Sequence, residues 1–152
     1  YPCLILSIHS RNNSRSPANL FNRDGGPEPP VGISVPQAMY DDFVKISEPI
    51  QKIRPDYPFE VKVREPRKRP TRMGGTDASV FAIEGVPTLG FTTEDFKGYD
   101  FDYGEIWHTE RDLYTKNIPE YQEHTATVTA IIALGVANLD KQLSREGLYT
   151  EE

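Results

Sequence analysis

The chain has 152 residues and a formal net charge of -6, with 37% hydrophobic and 26% charged residues. A chain of this length forms one domain with one core, and its ordinary apolar fraction argues against a disordered protein. The net negative charge argues against nonspecific nucleic-acid binding. The apolar run at residues 4–6 is far too short to span a membrane, and the single cysteine, Cys3, excludes an internal disulfide framework.

The first third of the chain predicts a polar start, a buried strand and an amphipathic helix. The strand is expected at residues 18–21, and it delivers Asp24 to its end, where two glycines and three prolines turn the backbone. Ser34 stands three residues before Gln37, which is the spacing of a capping box at a helix start. Pro49 should kink or end that helix. Its apolar stripe consists of Val35, Met39, Phe43, Ile46 and Ile50.

The middle of the chain alternates a strand, a basic connection, a helix and a second strand. Residues 59–63 alternate apolar and charged side chains, and residues 62–72 hold six basic residues against one acid. A solvated connection is the ordinary interpretation of this basic stretch, and an anion contact is the alternative. GGTDASVFAIEG predicts a short helix with its N-cap at Thr76 or Asp77 and a stop at Gly85, and VPTLGF predicts a buried strand.

Residues 92–117 form an acidic loop rich in aromatic side chains, too long to be a simple connection. The spacing of Asn117 and Glu120 predicts the start of a last helix, which should run to about Ser144 and pack on the sheet. Its apolar stripe consists of Val128, Ile131, Ile132, Gly135 and Leu139. The alternation of strands and helices predicts an α/β fold, with a mostly parallel sheet between helices.

Three polar side chains follow predicted strands in chain order. Asp24 and Asp77 lie beside glycine turns, and His108 lies in the long loop after the next strand. Residues on successive strand ends could share the carboxyl edge of a parallel sheet, where carboxylate and imidazole groups can bind zinc. The alternative interpretation is that Asp24 stabilises its own turn and Asp77 caps its helix.

Three blocks carry a family resemblance: NLFNRDGG, GGTDASVFAIEGVPTLGF and IWHTERDLYTKNIPEYQEHTATVTAIIALGVANL. In order and spacing they resemble the C-terminal half of the di-zinc aminopeptidase superfamily, which also contains the glutaminyl cyclases. The match extends from about Pro17 to Leu139. It implies a polar segment at 1–16 that continues from an upstream half, a zinc-peptidase-like α/β domain at 17–146, and a tail at 147–152.

The resemblance also implies roles for individual residues. Asp24 and His108 match ligands of the two zinc ions, and Asp77 matches an acidic residue hydrogen-bonded near the metals in the catalytic site. Trp107, directly before the last ligand, is expected to line the pocket for a peptide substrate. Tyr103 is expected to form part of the same wall.

The remaining family ligands, a histidine, a bridging aspartate and a Glu-Glu pair, should lie upstream of Asp24, where this chain has no acid. The chain is therefore expected to need the upstream half of the same enzyme as a partner, and to lack peptidase activity by itself. A periplasmic or secreted location is favoured by the resemblance, although the chain shows no signal peptide. Two alternatives stay open: a glutaminyl cyclase, and a non-catalytic peptidase-like binding module, which Ala78 favours because relatives commonly have histidine there.

Overall fold

The structure, a computed structural model, describes residues 4–8, 19–23, 26–100 and 103–150. The strands within these residues are β1 (Leu4–Ile8), β2 (Asn19–Arg23), β3 (Pro30–Val35), β4 (Glu60–Val63), β5 (Thr88–Leu89) and β6 (Phe91–Thr93). The helices are α1 (Tyr40–Ile53), α2 (Ala78–Ile83), α3 (Tyr103–Ile106) and α4 (Pro119–Ala137), with 3₁₀ turns at Gln37–Met39 and Tyr114–Lys116.

The described strands form two three-stranded sheets, with the orders β1-β2-β5 and β4-β3-β6. Each sheet contains one parallel and one antiparallel pairing: β2–β5 and β3–β4 are parallel, whereas β1–β2 and β3–β6 are antiparallel. A parallel pair needs a crossover connection, and α1 provides it between β3 and β4. The predicted α/β class is thus confirmed. The prediction of a mostly parallel sheet is only partly confirmed, because half of the described strand pairings are antiparallel.

The segment VPTLGF joins the two sheets. It was expected to be one buried strand, but it divides at Gly90 into β5, which pairs with β2, and β6, which pairs with β3. Leu89 is 5% exposed and belongs to the main core, and Phe91 packs against that core. The chain therefore passes from one sheet to the other between Leu89 and Phe91.

The core lies between the β3 sheet and the helices α1 and α4. Its buried members are Ile33, Val35, Met39, Phe43, Ile46, Ile50, Leu89, Val128, Ile132, Val136, Leu143 and Leu148. Both predicted helical stripes supply this core, as expected. The two helices approach closely at Gly135, where an added Cβ would lie 2.4 Å from Cγ2 of Ile46. Any larger residue here would force the Ile46 side chain or one of the helices to shift.

Ser34 is not the helix cap that its spacing predicted. It lies within β3, where it pairs in register with Lys62 of β4. The hydrogen-bond ladder between β3 and β4 pairs the backbone N–H and C=O groups here. Strand pairing therefore overrides the local capping signal. The 3₁₀ turn and α1 follow after Pro36, and α1 continues through Pro49 to Ile53.

The last helix begins slightly later and ends earlier than its spacing predicted. Ile118 is the N-cap of α4 and Pro119 occupies its first turn, where the fixed φ of proline suits a helix start. Asn117 instead closes the preceding 3₁₀ turn, since its N–H donates to the carbonyl of Tyr114 at 3.1 Å. The helix ends at Ala137 rather than near Ser144, because the chain then turns to bury Leu143 and Leu148.

Both outer segments of the expected domain division contribute to the structure. Within residues 1–16, β1 pairs with β2. Within residues 147–152, Leu148 is 1% exposed, and the N–H of Thr150 donates to the carbonyl of Arg67 at 3.1 Å. The end of the described chain is therefore packed against the basic stretch.

Candidate functional site

His108 lies on an exposed turn directly after α3. Its backbone adopts a φ of 55°, in the left-handed region that side chains other than glycine seldom occupy. The imidazole is adjacent to the indole of Trp107, with ring centroids 4.8 Å apart, and the indole is 58% exposed. The turn therefore presents an imidazole and a large aromatic ring together to the solvent.

Thr109 holds this turn in place. Its hydroxyl donates to the carbonyl of Glu105 at 2.8 Å and accepts the N–H of Arg111 at 3.2 Å. Its own N–H donates to the carbonyl of Ile106 at 3.0 Å, and Ile106 is 1% exposed. Thr109 thus closes the end of α3, and the buried Ile106 anchors the helix to the core. The two side chains between them, Trp107 and His108, point outward.

The left-handed turn at His108 stores backbone strain. Such a conformation costs about 1–2 kcal/mol for a residue with a Cβ, although histidine tolerates it better than most. The bonds made by Thr109 offset that cost. Strain of this kind persists where the surrounding structure fixes it, and it concentrates at functional sites.

Tyr103 begins the same helix and shares its exposed side. The N–H of Trp107 donates to the carbonyl of Tyr103 at 2.9 Å, so the two residues are separated by one helical turn. The Tyr103 side chain is 36% exposed. Residues one turn apart on a helix are neighbours on its surface, so Tyr103 and Trp107 lie on the same exposed side. Their role as a wall of a substrate pocket stays a prediction.

The base of the aromatic loop is fixed to α4 by a set of bonds that sequence spacing did not reveal. The Tyr121 hydroxyl donates to the Asp95 carboxylate at 2.6 Å, and the Lys97 ammonium donates to the Glu120 carboxylate at 2.6 Å. The Tyr57 hydroxyl also donates to Glu120, at 3.2 Å. Partners separated by up to 63 residues along the chain leave no local signal that could have predicted them.

These bonds shift the titration of the groups involved. The hydrogen bond from Lys97 lowers the pKa of Glu120, and the same bond raises the pKa of Lys97. Burial raises the pKa of the Tyr121 hydroxyl, and its bond to Asp95 adds to that effect. All three groups therefore keep at neutral pH the protonation states that hold the loop against α4.

His124 is a structural histidine. It is fully buried, its Nε2–H donates to the carbonyl of Pro30 at 3.0 Å, and its ring stacks on Tyr57 with centroids 4.0 Å apart. Burial lowers its pKa, against the opposing effect of the bond to Pro30. The low expectation of a ligand role for this residue agrees with its position inside the fold.

Asp77 stands at the N-cap position of α2, as predicted, but its side chain makes no capping hydrogen bond. The turn is closed instead by the backbone, through the N–H of Ser79 and the carbonyl of Thr76 at 3.0 Å. The alternative role of Asp77 as a helix cap is therefore wrong. The predicted stop at Gly85 is confirmed by its φ of 70°.

A cavity of about 420 Å³ opens beside Asp77. Thr76 and Ala78, its neighbours in sequence, lie on the cavity wall, and Arg67 and Lys68 of the basic stretch lie on it as well. The sequence predicted mainly a solvated connection for residues 62–72. The excess of basic residues there also allowed an anion contact, which was the alternative prediction.

The predicted metal ligands are only partly within the described residues. Asp24 lies outside them, and His108 lies within them. Within residues 4–8, 19–23, 26–100 and 103–150, no group of three or more His, Cys, Asp or Glu side chains is arranged to hold a metal ion. Of the two predicted metal ligands, the described residues include His108, whose side chain is exposed, and a closed zinc site would need further ligands.

Comparison of the chain with protein-family models, with curated proteins and with solved structures returned no match. Among the helices that the structure describes, none has the length and apolar character to cross a membrane. The described residues form an α/β protein with a strained, exposed turn at Trp107 and His108. They also form a cavity that Arg67 and Lys68 line.

Proposed function

We propose that this chain supplies part of the active site of a zinc-dependent aminopeptidase, which hydrolyses N-terminal peptide bonds. The observation that carries the proposal is the turn at His108, where an exposed imidazole is kept beside an exposed indole by the bonds of Thr109. A surface imidazole held in a strained conformation has no evident packing role. The family resemblance of the same residues supplies its interpretation as a metal ligand.

The roles within this chain follow from the chemistry of each group. His108 would donate a ring nitrogen to one metal ion and Asp24 a carboxylate to the other, with Asp77 holding a hydrogen bond near them. Trp107 and Tyr103 would contact the side chain of the peptide substrate. Zinc, when bound, polarises the scissile carbonyl and activates a water molecule for attack. The remaining ligands and the general base would come from the upstream half of the enzyme.

The metal-ligand role of His108 can be tested on the chain itself, because Trp107 is its only tryptophan. Co²⁺ is a paramagnetic stand-in for Zn²⁺, and binding beside the indole should quench its fluorescence. We expect saturable quenching that Zn²⁺ reverses and that His108→Ala abolishes. His124→Gln is the matched control, since that histidine is buried away from solvent and its replacement should leave the quenching unchanged.

Hydrolysis is then assayed with leucine p-nitroanilide, on the chain alone and on the enzyme that carries the upstream half. The chain alone should be inactive, and His108→Ala or Asp24→Ala should remove most of the activity of the larger enzyme. Equal quenching in His108→Ala together with full hydrolysis would refute the proposal. Absent metal binding by the larger enzyme would favour the non-catalytic module, and ammonia release from an N-terminal glutamine peptide would assign a glutaminyl cyclase.

A further inference from the structure

The cavity beside α2 has a basic wall in a protein whose overall charge is negative. Arg67 and Lys68 line it, and its lining contains no acidic side chain, whereas the whole chain carries a net charge of -6. Two basic residues in the lining favour an anion. The basic stretch is thus more than a solvated connection at this point.

Arg67 is fixed in position by the fold. Its backbone joins the last part of the described chain, where its N–H donates to the carbonyl of Leu148 at 3.4 Å. Its guanidinium donates through Nη2 to the hydroxyl of Thr88 at 3.2 Å, across the cavity wall. A guanidinium held in this way loses little further freedom when it binds a carboxylate, which it can contact with two parallel N–H groups.

Hydroxyl groups add neutral hydrogen-bonding capacity to the same cavity. Thr76, Ser79 and Thr88 all line it. Within the described part of the chain, Ser79 Oγ is buried and has no hydrogen-bond partner. A buried hydroxyl without a partner is costly, so this position beside the cavity is under-satisfied.

The rest of the lining is apolar. Ala82 and Leu89 are 6% and 5% exposed, and Phe91 is half-buried beside them. A bare inorganic anion would leave this surface uncovered, whereas an organic molecule would cover it with an apolar body while its charged end meets the cations. Polar groups that fix orientation above an apolar lining are typical of small-molecule sites.

We propose that this cavity binds a small organic carboxylate, whose carboxylate group meets Arg67 and Lys68 and whose apolar body lies against Leu89 and Phe91. His108 is not among the residues that line this cavity, and the proposal does not rest on the proposed peptidase activity. No covalent step is involved.

The test is an NMR titration of the 152-residue chain with N-acetyl-L-leucine and, as a probe of the same shape without charge, N-acetyl-L-leucinamide. The acid should shift the backbone amide signals of Thr76, Ser79 and Gly90 saturably. The amide should bind about tenfold more weakly, because it loses charge-assisted hydrogen bonds. Raising the salt concentration should weaken binding of the acid, since both cations are exposed.

Charge-neutral variants locate the site. Arg67→Gln and Lys68→Gln should each weaken binding of the acid by about threefold or more. Lys68 has an exposed side chain, so its variant stays informative if the loss of Arg67 perturbs the fold. Arg72→Gln is the matched control: it removes the same charge from the same basic stretch, but Arg72 does not line the cavity.

Three results would overturn the proposal. Equal affinity for the acid and the amide would show that charge is not recognised. If Arg72→Gln weakened binding as much as Lys68→Gln, binding would depend on general electrostatic attraction and not on this cavity. Inorganic phosphate binding as tightly as N-acetyl-L-leucine would show a simple anion site without a place for the apolar body.

Discussion

The turn at His108 should depend on a single hydroxyl, that of Thr109. Thr109→Val keeps the shape of the side chain but removes the bond to Glu105 and the acceptor for Arg111. Exposed hydrogen bonds of this kind contribute about 0.5–1.5 kcal/mol each, so their loss amounts to about 1–2 kcal/mol. The left-handed backbone at His108 costs a similar amount, about 1–2 kcal/mol. The variant should therefore leave the strained turn barely favoured over its open forms.

Native-state hydrogen exchange measures this change at the turn itself. The N–H of Thr109 and the N–H of Asp112 both donate within the turn, at 3.0 and 3.2 Å. A loss of about 1.4 kcal/mol should lower their protection about tenfold, while amides in the middle of α4 keep theirs. The Co²⁺ quenching of Trp107 should weaken in parallel, because the imidazole no longer has a fixed position.

Thr127→Val is a matched control for this prediction. The Thr127 hydroxyl also donates to the carbonyl four residues earlier, that of Glu123, at 2.9 Å. It lies inside α4, where such a bond contributes little to stability. This variant should leave the protection of the His108 turn unchanged.

A second substitution examines the strain directly. His108→Gly in the Thr109→Val background should restore part of the lost protection, by about 1 kcal/mol, because glycine adopts positive φ without a steric penalty. Unchanged protection in Thr109→Val, or an equal loss in Thr127→Val, would refute the reasoning that Thr109 offsets strain at His108.

Three further predictions concern the rest of the fold. Gly135→Ala should lower the free energy of unfolding by about 1–3 kcal/mol in urea denaturation, because its Cβ would lie 2.4 Å from Cγ2 of Ile46, and Ile46→Ala should suppress that added cost. Burial lowers the pKa of His124, so below about pH 6.5 the unfolded chain binds a proton that the folded chain does not. The free energy of unfolding should therefore fall as the pH drops below that value, and it should fall less steeply in His124→Gln. Leu148→Ala should cost about 2–4 kcal/mol in the same assay, since this side chain is 1% exposed, and a cost below 0.5 kcal/mol would mean that residues 147–152 are a dispensable tail.

Much of the fold was readable from local sequence patterns. The period of the apolar residues placed α1 and α4 and identified Phe43, Ile50 and Val128 as core residues, because a helix repeats its buried face every three to four residues. Glycine punctuation placed the end of α2 at Gly85. The helix starts were predicted less well. Ser34 and Asn117 have the right spacing for helix caps, but Ser34 lies in a strand and Asn117 closes a 3₁₀ turn.

The candidate site shows the same division. Local sequence was enough to establish the order of the polar residues, the pairing of Trp107 with His108 and the excess of basic residues at 62–72, because these are properties of neighbours along the chain. Long-range packing divides VPTLGF between two sheets, bonds the loop base to α4 and brings Arg67 and Lys68 to the lining of a cavity beside α2. These features join residues far apart in the chain, and their energies arise only when packing brings the groups together.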